Sequence, residues 1–131
     1  MADGNEVRDD RYYSKTHEWI LIEGDAAKIG MTDYAQEQMS ELVYAELPAV
    51  GKKYQQGDLF GQVESIKTVA AVNCPADCEV MEINSEIMND PLIINQSPYD
   101  KGWFAVVKID KPDLSNLLNP EEYRPINIAK T

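Results

Sequence analysis

Histidine and cysteine are scarce in this chain: its 131 residues include one histidine, His17, and two cysteines, Cys74 and Cys78. Together these fall short of the four ligands of a closed structural zinc site. Two cysteines are also too few for a disulfide framework, and their separation is not the Cys-x-x-Cys spacing of a redox pair or zinc knuckle. Positive charge is the next shortage. Twelve Lys and Arg against 23 Asp and Glu leave a net charge of −11 and a pI near 4.4. Such a surface repels nucleic acid phosphates and anionic membrane, so the expected partners are proteins or small molecules. It also favours a soluble monomer. No apolar run approaches the roughly 20 residues needed to cross a bilayer. Met1 to Asp10 is polar and acidic rather than signal-like, which places the expected site of action in the cytoplasm.

What is present fits one compact domain. Residues 1–11 have little to bury and are expected to be loose; residues 12–131 form the single domain. His17 to Glu23 and Ala26 to Met31 read as a hairpin joined at Gly24-Asp25, a strong turn signal. Thr32 then reads as the N-cap of a short helix through Met39, with Tyr34-Ala35 and Gln38-Met39 facing inward. Leu42 to Leu47 is strand-like and ends at Pro48. Leu59 to Ser65, Thr68 to Asn73 and Glu79 to Asn84 are three further short strands, and in the last Val80, Glu82 and Asn84 alternate with Met81 and Ile83. Pro91 and Pro98 are expected to break up a loop-rich section before a closing strand, Trp103 to Ile109. Asp113 to Leu118 and Glu121 to Tyr123 read as one or two helical turns, with Pro112 and Pro120 near their starts. Short, closely spaced strands predict a mainly β sandwich or barrel.

Lys67 stands between two of these strands, after Val63-Glu64-Ser65-Ile66 and before Thr68-Val69-Ala70-Ala71-Val72. A lysine so placed belongs to a tight turn that holds its amine in water, within reach of a modifying enzyme. By residue type alone it is one solvated lysine among nine.

Several motifs occur in order: Tyr13 with His17-Glu18-Trp19; Ile29-Gly30-Met31-Thr32-Asp33-Tyr34-Ala35-Gln36; Val43-Tyr44-Ala45-Glu46-Leu47-Pro48; Gly61-Gln62-Val63-Glu64-Ser65-Ile66-Lys67; Asn95-Gln96-Ser97-Pro98-Tyr99; and Gly102-Trp103. From about Tyr12 to Tyr123 this set closely resembles the H protein of the glycine cleavage system. The resemblance implies a barrel-sandwich hybrid of the lipoyl and biotinyl type, and a carrier rather than an enzyme. Lipoate would be amide-linked to Lys67, with Glu64, Ser65 and Ile66 presenting that lysine to a lipoate-attaching enzyme. The implied partners are glycine decarboxylase, aminomethyltransferase and dihydrolipoamide dehydrogenase. A tethered arm makes each transfer a meeting at high local concentration.

The family's pattern places the arm in a cleft with a glutamate, Glu18 here, and usually an aspartate four residues after the modified lysine. Ala71 occupies that second position. A missing carboxylate removes an acceptor worth about 1–3 kcal/mol when partly buried. Cys74 stands where a small polar residue is common, and Cys78 replaces a glycine. These departures motivate a second expectation, an H-protein-like carrier of sulfur intermediates working with a heterodisulfide-reductase-like complex, in which Cys74 and Cys78 exchange with the arm's thiols. A third is an unmodified partner-binding module. His17 beside Glu18 reads as a hydrogen-bonded structural histidine or as a proton-transfer group at the arm. Trp19, Tyr99 and Trp103 read as core or wall residues.

Overall fold

The computed structural model describes residues 5–109 and 114–128. Among the described residues the mainly β expectation is met by nine strands: β1 Tyr12–Tyr13, β2 Glu18–Glu23, β3 Ala26–Met31, β4 Leu42–Glu46, β5 Lys53–Tyr54, β6 Leu59–Ser65, β7 Val69–Asn73, β8 Cys78–Ile83 and β9 Ala105–Lys108. They form two antiparallel sheets, one ordered β1-β2-β3-β9-β8-β5 and the other β4-β6-β7. Both sheets bury one face. Ile20, Ile29, Val80 and Val107 from the first meet Leu42, Phe60, Val63 and Val72 from the second in one apolar core. Beside it lies a smaller aromatic cluster of Tyr13, Trp19, Tyr99 and Tyr123. In that cluster Tyr13 and Tyr123 stack with centroids 4.4 Å apart.

Local sequence explains most elements. Gly24, at φ +69°, turns the chain from β2 to β3 and leaves Glu23 opposite Ala26. Gly30 is required by packing rather than by turn geometry, because a Cβ there would lie 2.6 Å from the Trp19 indole. Helix α1, Asp33–Met39, starts as expected from Thr32, whose hydroxyl accepts the Ala35 N–H at 3.2 Å. A bulge between Val80 and Glu82 interrupts the alternation expected in β8, so Met81 and Glu82 are both exposed.

The loop-rich section is corrected. Residues between Asn84 and Ser97 form two short helices, α2 Ser85–Asn89 and α3 Leu92–Gln96, each burying one isoleucine, Ile87 and Ile94. Pro91 stands at the entrance to α3, where its fixed φ suits a helix start. Five-residue helices are too short to display a hydrophobic period. Near the C-terminus, a 3-10 turn covers Leu114–Asn116 and α4 covers Pro120–Ile128. Asn119 and Glu122 cap α4 reciprocally, each side chain accepting the other's backbone N–H at 2.9 Å. Pro112 and Asp113 lie outside the described residues.

The segment expected to be loose is described over residues 5–11, and these make specific contacts. Tyr99 donates its hydroxyl to the Glu6 carbonyl, the Arg8 N–H reaches the Tyr13 hydroxyl, and the buried Arg11 guanidinium sits 4.6 Å over the Trp19 ring. An aromatic surface gives this polar stretch something to pack on, which hydropathy alone does not reveal.

Candidate functional site

The turn that carries Lys67 is built by β6 and β7, which pair Gln62 with Ala71, Val63 with Ala70 and Glu64 with Val69. Ser65 closes it. Its N–H donates to the Thr68 carbonyl at 2.9 Å, and its hydroxyl accepts the N–H groups of Lys67 and Thr68 at 3.2 and 3.3 Å. Two amides at the tip are thereby held by one side chain that is itself buried. Ile66 and Lys67 point outward, and Ile66 is 86% exposed. Val69 and Tyr44 lie in one cross-strand row with Glu64 and are also exposed. The lysine therefore stands on an ordered, partly apolar tip.

Strand β7 leads from this tip to a cleft of about 340 Å³ lined by Thr16, His17, Glu18, Tyr34, Gln38 and Ala71, among others. Ala71, the third residue of β7, is exposed on the cleft rim. Glu18, 2% exposed, is the one carboxylate among the described residues that line the cleft. Ser14 and Thr16 each donate a hydroxyl to its Oε1 at 2.5 Å, and the Asn73 N–H donates to Oε2 at 3.1 Å. Burial raises its pKa above the ordinary glutamate value, and these hydrogen bonds oppose the rise. One acceptor position on Oε2 remains beyond these three bonds.

His17 is half-buried and adopts φ +73°, an uncommon conformation for a non-glycine residue. Its Nδ1 lies 2.7 Å from the Tyr123 hydroxyl, which in turn donates to the Thr32 hydroxyl at 2.9 Å. Its ring also packs 4.6 Å from that of Tyr34. These contacts match a positioned, structural histidine better than a free proton carrier. Trp19 and Tyr99 are buried, with the indole N–H donating to the Pro98 carbonyl at 3.0 Å, and Trp103 packs against their cluster.

The structure thus brings His17, Glu18 and Ala71 to one cleft and sets Glu64, Ser65, Ile66 and Lys67 at the hairpin beside it. Cys74 and Cys78 do not line that cleft. They are buried at the opposite end of β7. Sequence reading missed Ser14 and Thr16, which hold Glu18, and Tyr123, which holds His17. The first two hydroxyls carry no motif, and Tyr123 lies 106 residues from its partner. Of the pairs expected to face inward from α1, Met39 is buried and Tyr34 and Ala35 are partly buried, whereas Gln38 is exposed on the cleft wall. Among the described residues no cluster of His, Cys, Asp and Glu is arranged to hold a metal ion, and no helix is long and apolar enough to cross a membrane.

Comparison with known proteins extends this geometry. The family model described as "Glycine cleavage H-protein" matches residues 11–128. A protein named "Glycine cleavage system H protein" from Thermoanaerobacter sp. is 48% identical over 120 residues, spanning 91% of this chain and 94% of the relative. One of the same name from Rubrobacter xylanophilus is 44% identical over 119 residues, spanning 90% and 92%. Among solved structures, the glycine cleavage system H protein of Mycobacterium marinum superimposes with a TM-score of 0.83 at 36% identity, covering 89% of this chain and 95% of that one. This likeness bears out the barrel-sandwich expectation.

Proposed function

The chain belongs to the glycine cleavage H-protein family, and from that premise we propose that it is a lipoyl carrier of glycine cleavage whose arm is attached at Lys67. One observation carries the reading: an exposed lysine on an ordered hairpin tip, joined by a single strand to a cleft with a buried, fixed carboxylate. Ser65 holds the backbone of the tip, so a lipoate-attaching enzyme meets Lys67 in one shape. Amide formation at Nζ removes the lysine charge, which suits an arm that must lie against the apolar side chains of Ala70, Val72 and Met39 in the cleft. Lipoate supplies a dithiol that carries a group between enzymes.

Glu18 accepts a hydrogen bond from a cationic group entering the cleft, through the position left on Oε2. Ser14, Thr16 and Asn73 keep that carboxylate aimed and limit its freedom to swing away. The partners in this reading are those of the glycine cleavage system, glycine decarboxylase, aminomethyltransferase and dihydrolipoamide dehydrogenase, encountered by a cytoplasmic monomer. Nothing in the family comparison favours a heterodisulfide-reductase-like partner. The sulfur-carrying reading is motivated by Ala71, Cys74 and Cys78; neither cysteine lines the cleft, and Ala71 leaves Glu18 as the one acid among the described residues there.

The test is mass analysis of the full-length protein from its native source. A lipoyl increment on the peptide containing Lys67 is expected; an unmodified Lys67 overturns the reading and leaves the partner-binding module. Loading of the lipoylated protein by glycine decarboxylase then separates the two cargoes. Efficient loading despite Ala71 excludes the need for a second carboxylate, and failure to load favours sulfur.

A further inference from the structure

The cysteines sit where β7 leaves the sheet and β8 returns, with Pro75, Ala76 and Asp77 between them. Their Sγ atoms lie 3.5 Å apart, and Cys74 also directs its thiol to the Ala76 carbonyl at 3.0 Å. We propose that Cys74 and Cys78 are a dithiol modification site, oxidised by a small hydroperoxide to an intramolecular disulfide that pins the β7–β8 turn. The inference does not depend on an arm at Lys67.

Three observations carry it. First, two thiols in contact need to close by only about 1.5 Å to bond, since an S–S bond is about 2.05 Å long. Second, Cys74 is 2% and Cys78 9% exposed, so a bulky disulfide or another protein's thiol has no path to either sulfur. A water-sized oxidant does. Cys74 lines one surface hollow, with Asn73, Gln56 and Thr16, and Cys78 lines another, with Lys53 and Lys108. Third, the backbone around Cys74 is already anchored, its N–H on the Asp58 carbonyl and its carbonyl on the Gly57 N–H, both at 2.8 Å. Bond formation therefore asks for side-chain rotation within a fixed frame. The contact between the two sulfurs lowers the Cys74 thiol pKa, while the same contact and burial raise that of Cys78; with Cys74 also held on the Ala76 carbonyl, the step is written with Cys74 as the attacking sulfur.

The step balances. Cys74 thiolate attacks one oxygen of the hydroperoxide, the O–O bond breaks, and Cys74 becomes a sulfenic acid as hydroxide or alkoxide leaves with the thiol proton. Cys78 then attacks Cys74 Sγ, expelling hydroxide, which takes the Cys78 proton as water. Two thiols and one hydroperoxide give one disulfide, one water and one water or alcohol. Neighbouring Asn73 donates its N–H to Glu18, so pinning this turn also steadies the cleft's carboxylate.

The experiment treats the folded, full-length Lys67→Arg protein, which has no other thiols, with hydrogen peroxide. Expected, with alkylation carried out after unfolding, is loss of the mass of two hydrogens, disappearance of both alkylatable thiols, a Cys74–Cys78 cross-linked peptide, and full reversal by dithiothreitol added to the unfolded protein. Retention of both thiols, intermolecular dimers, or oxygen addition without the cross-link overturns the proposal. In the Cys78→Ser variant, peroxide treatment of the folded protein followed by unfolding in a sulfenic-acid probe is expected to label Cys74; a Cys74 that stays unlabelled overturns its role as the attacking sulfur. The wild-type turn supplies the decisive mass even if that variant folds poorly.

Discussion

Strand β7 ends in two turns of opposite construction. At one end Ser65 to Thr68 is held by backbone bonds and one hydroxyl, with Ile66 and Lys67 projecting into water. At the other, Cys74, Pro75, Ala76 and Cys78 are buried, and only Asp77 is exposed. Five residues separate a tip that partners can touch from a turn that they cannot. A reactive side chain in the open turn is available to a protein the size of a modifying enzyme, whereas thiols in the sealed turn meet each other first. Accessibility, more than intrinsic chemistry, divides the work between the two ends.

The comparison is tested most severely at the open end. Lys67→Arg is expected to abolish lipoyl attachment completely while moving the urea unfolding free energy by under about 0.5 kcal/mol, because the side chain packs against little. A large loss of stability would show that the tip is not open. At the sealed end, Cys74→Asp buries a charge beside Asp58 and Asp77 and is expected to cost about 3–5 kcal/mol, measured by urea denaturation. Tolerance of that aspartate would show that the turn is not sealed.

Glu18→Gln is next in size. The substitution keeps the shape but turns one of the acceptor oxygens into a donor, facing either the two hydroxyls or the Asn73 N–H, and is expected to cost about 1–3 kcal/mol in the same assay. It also changes the pH dependence. A buried carboxyl whose pKa is raised binds its proton more tightly in the folded state, so its contribution to stability is full below the ordinary value of 4.5 and is lost as pH rises through the folded value. That component of the stability profile should vanish in Glu18→Gln. Asp10 and Asp100 act in the opposite direction. Arg11 and Arg8 hold their pKa values below 3.8, so their contribution is lost as the pH falls below that value. The smallest effect is expected from Ser65→Ala. Two solvent-near amides lose one acceptor, at about 0.5–1 kcal/mol, and the attachment rate should fall while its end point is still reached.

Much of this architecture was legible in the chain. Gly24-Asp25, the Thr32 cap and the strands around Lys67 all declared themselves through patterns spanning fewer than ten residues, for which local geometry is decisive. The reading failed where elements were too short to show a period, as in α2 and α3, or where a bulge shifted the faces of β8. Contacts of residues 5–11 escaped it for another reason: their packing partners, Trp19 and Tyr99, lie elsewhere in the chain.

The sequence by itself determined that a lysine occupies the break between two strands, that the fold is mainly β, and that the ordered motifs match one family. Tertiary structure alone decided that Glu18 is buried and triply hydrogen-bonded, that His17 is anchored to Tyr123, and that two cysteines without a recognisable spacing touch at 3.5 Å. Turns and caps are set by neighbours along the chain. Burial, the pKa shifts that follow from it and contacts across 106 residues are set by neighbours in space, which only the closed core assembles.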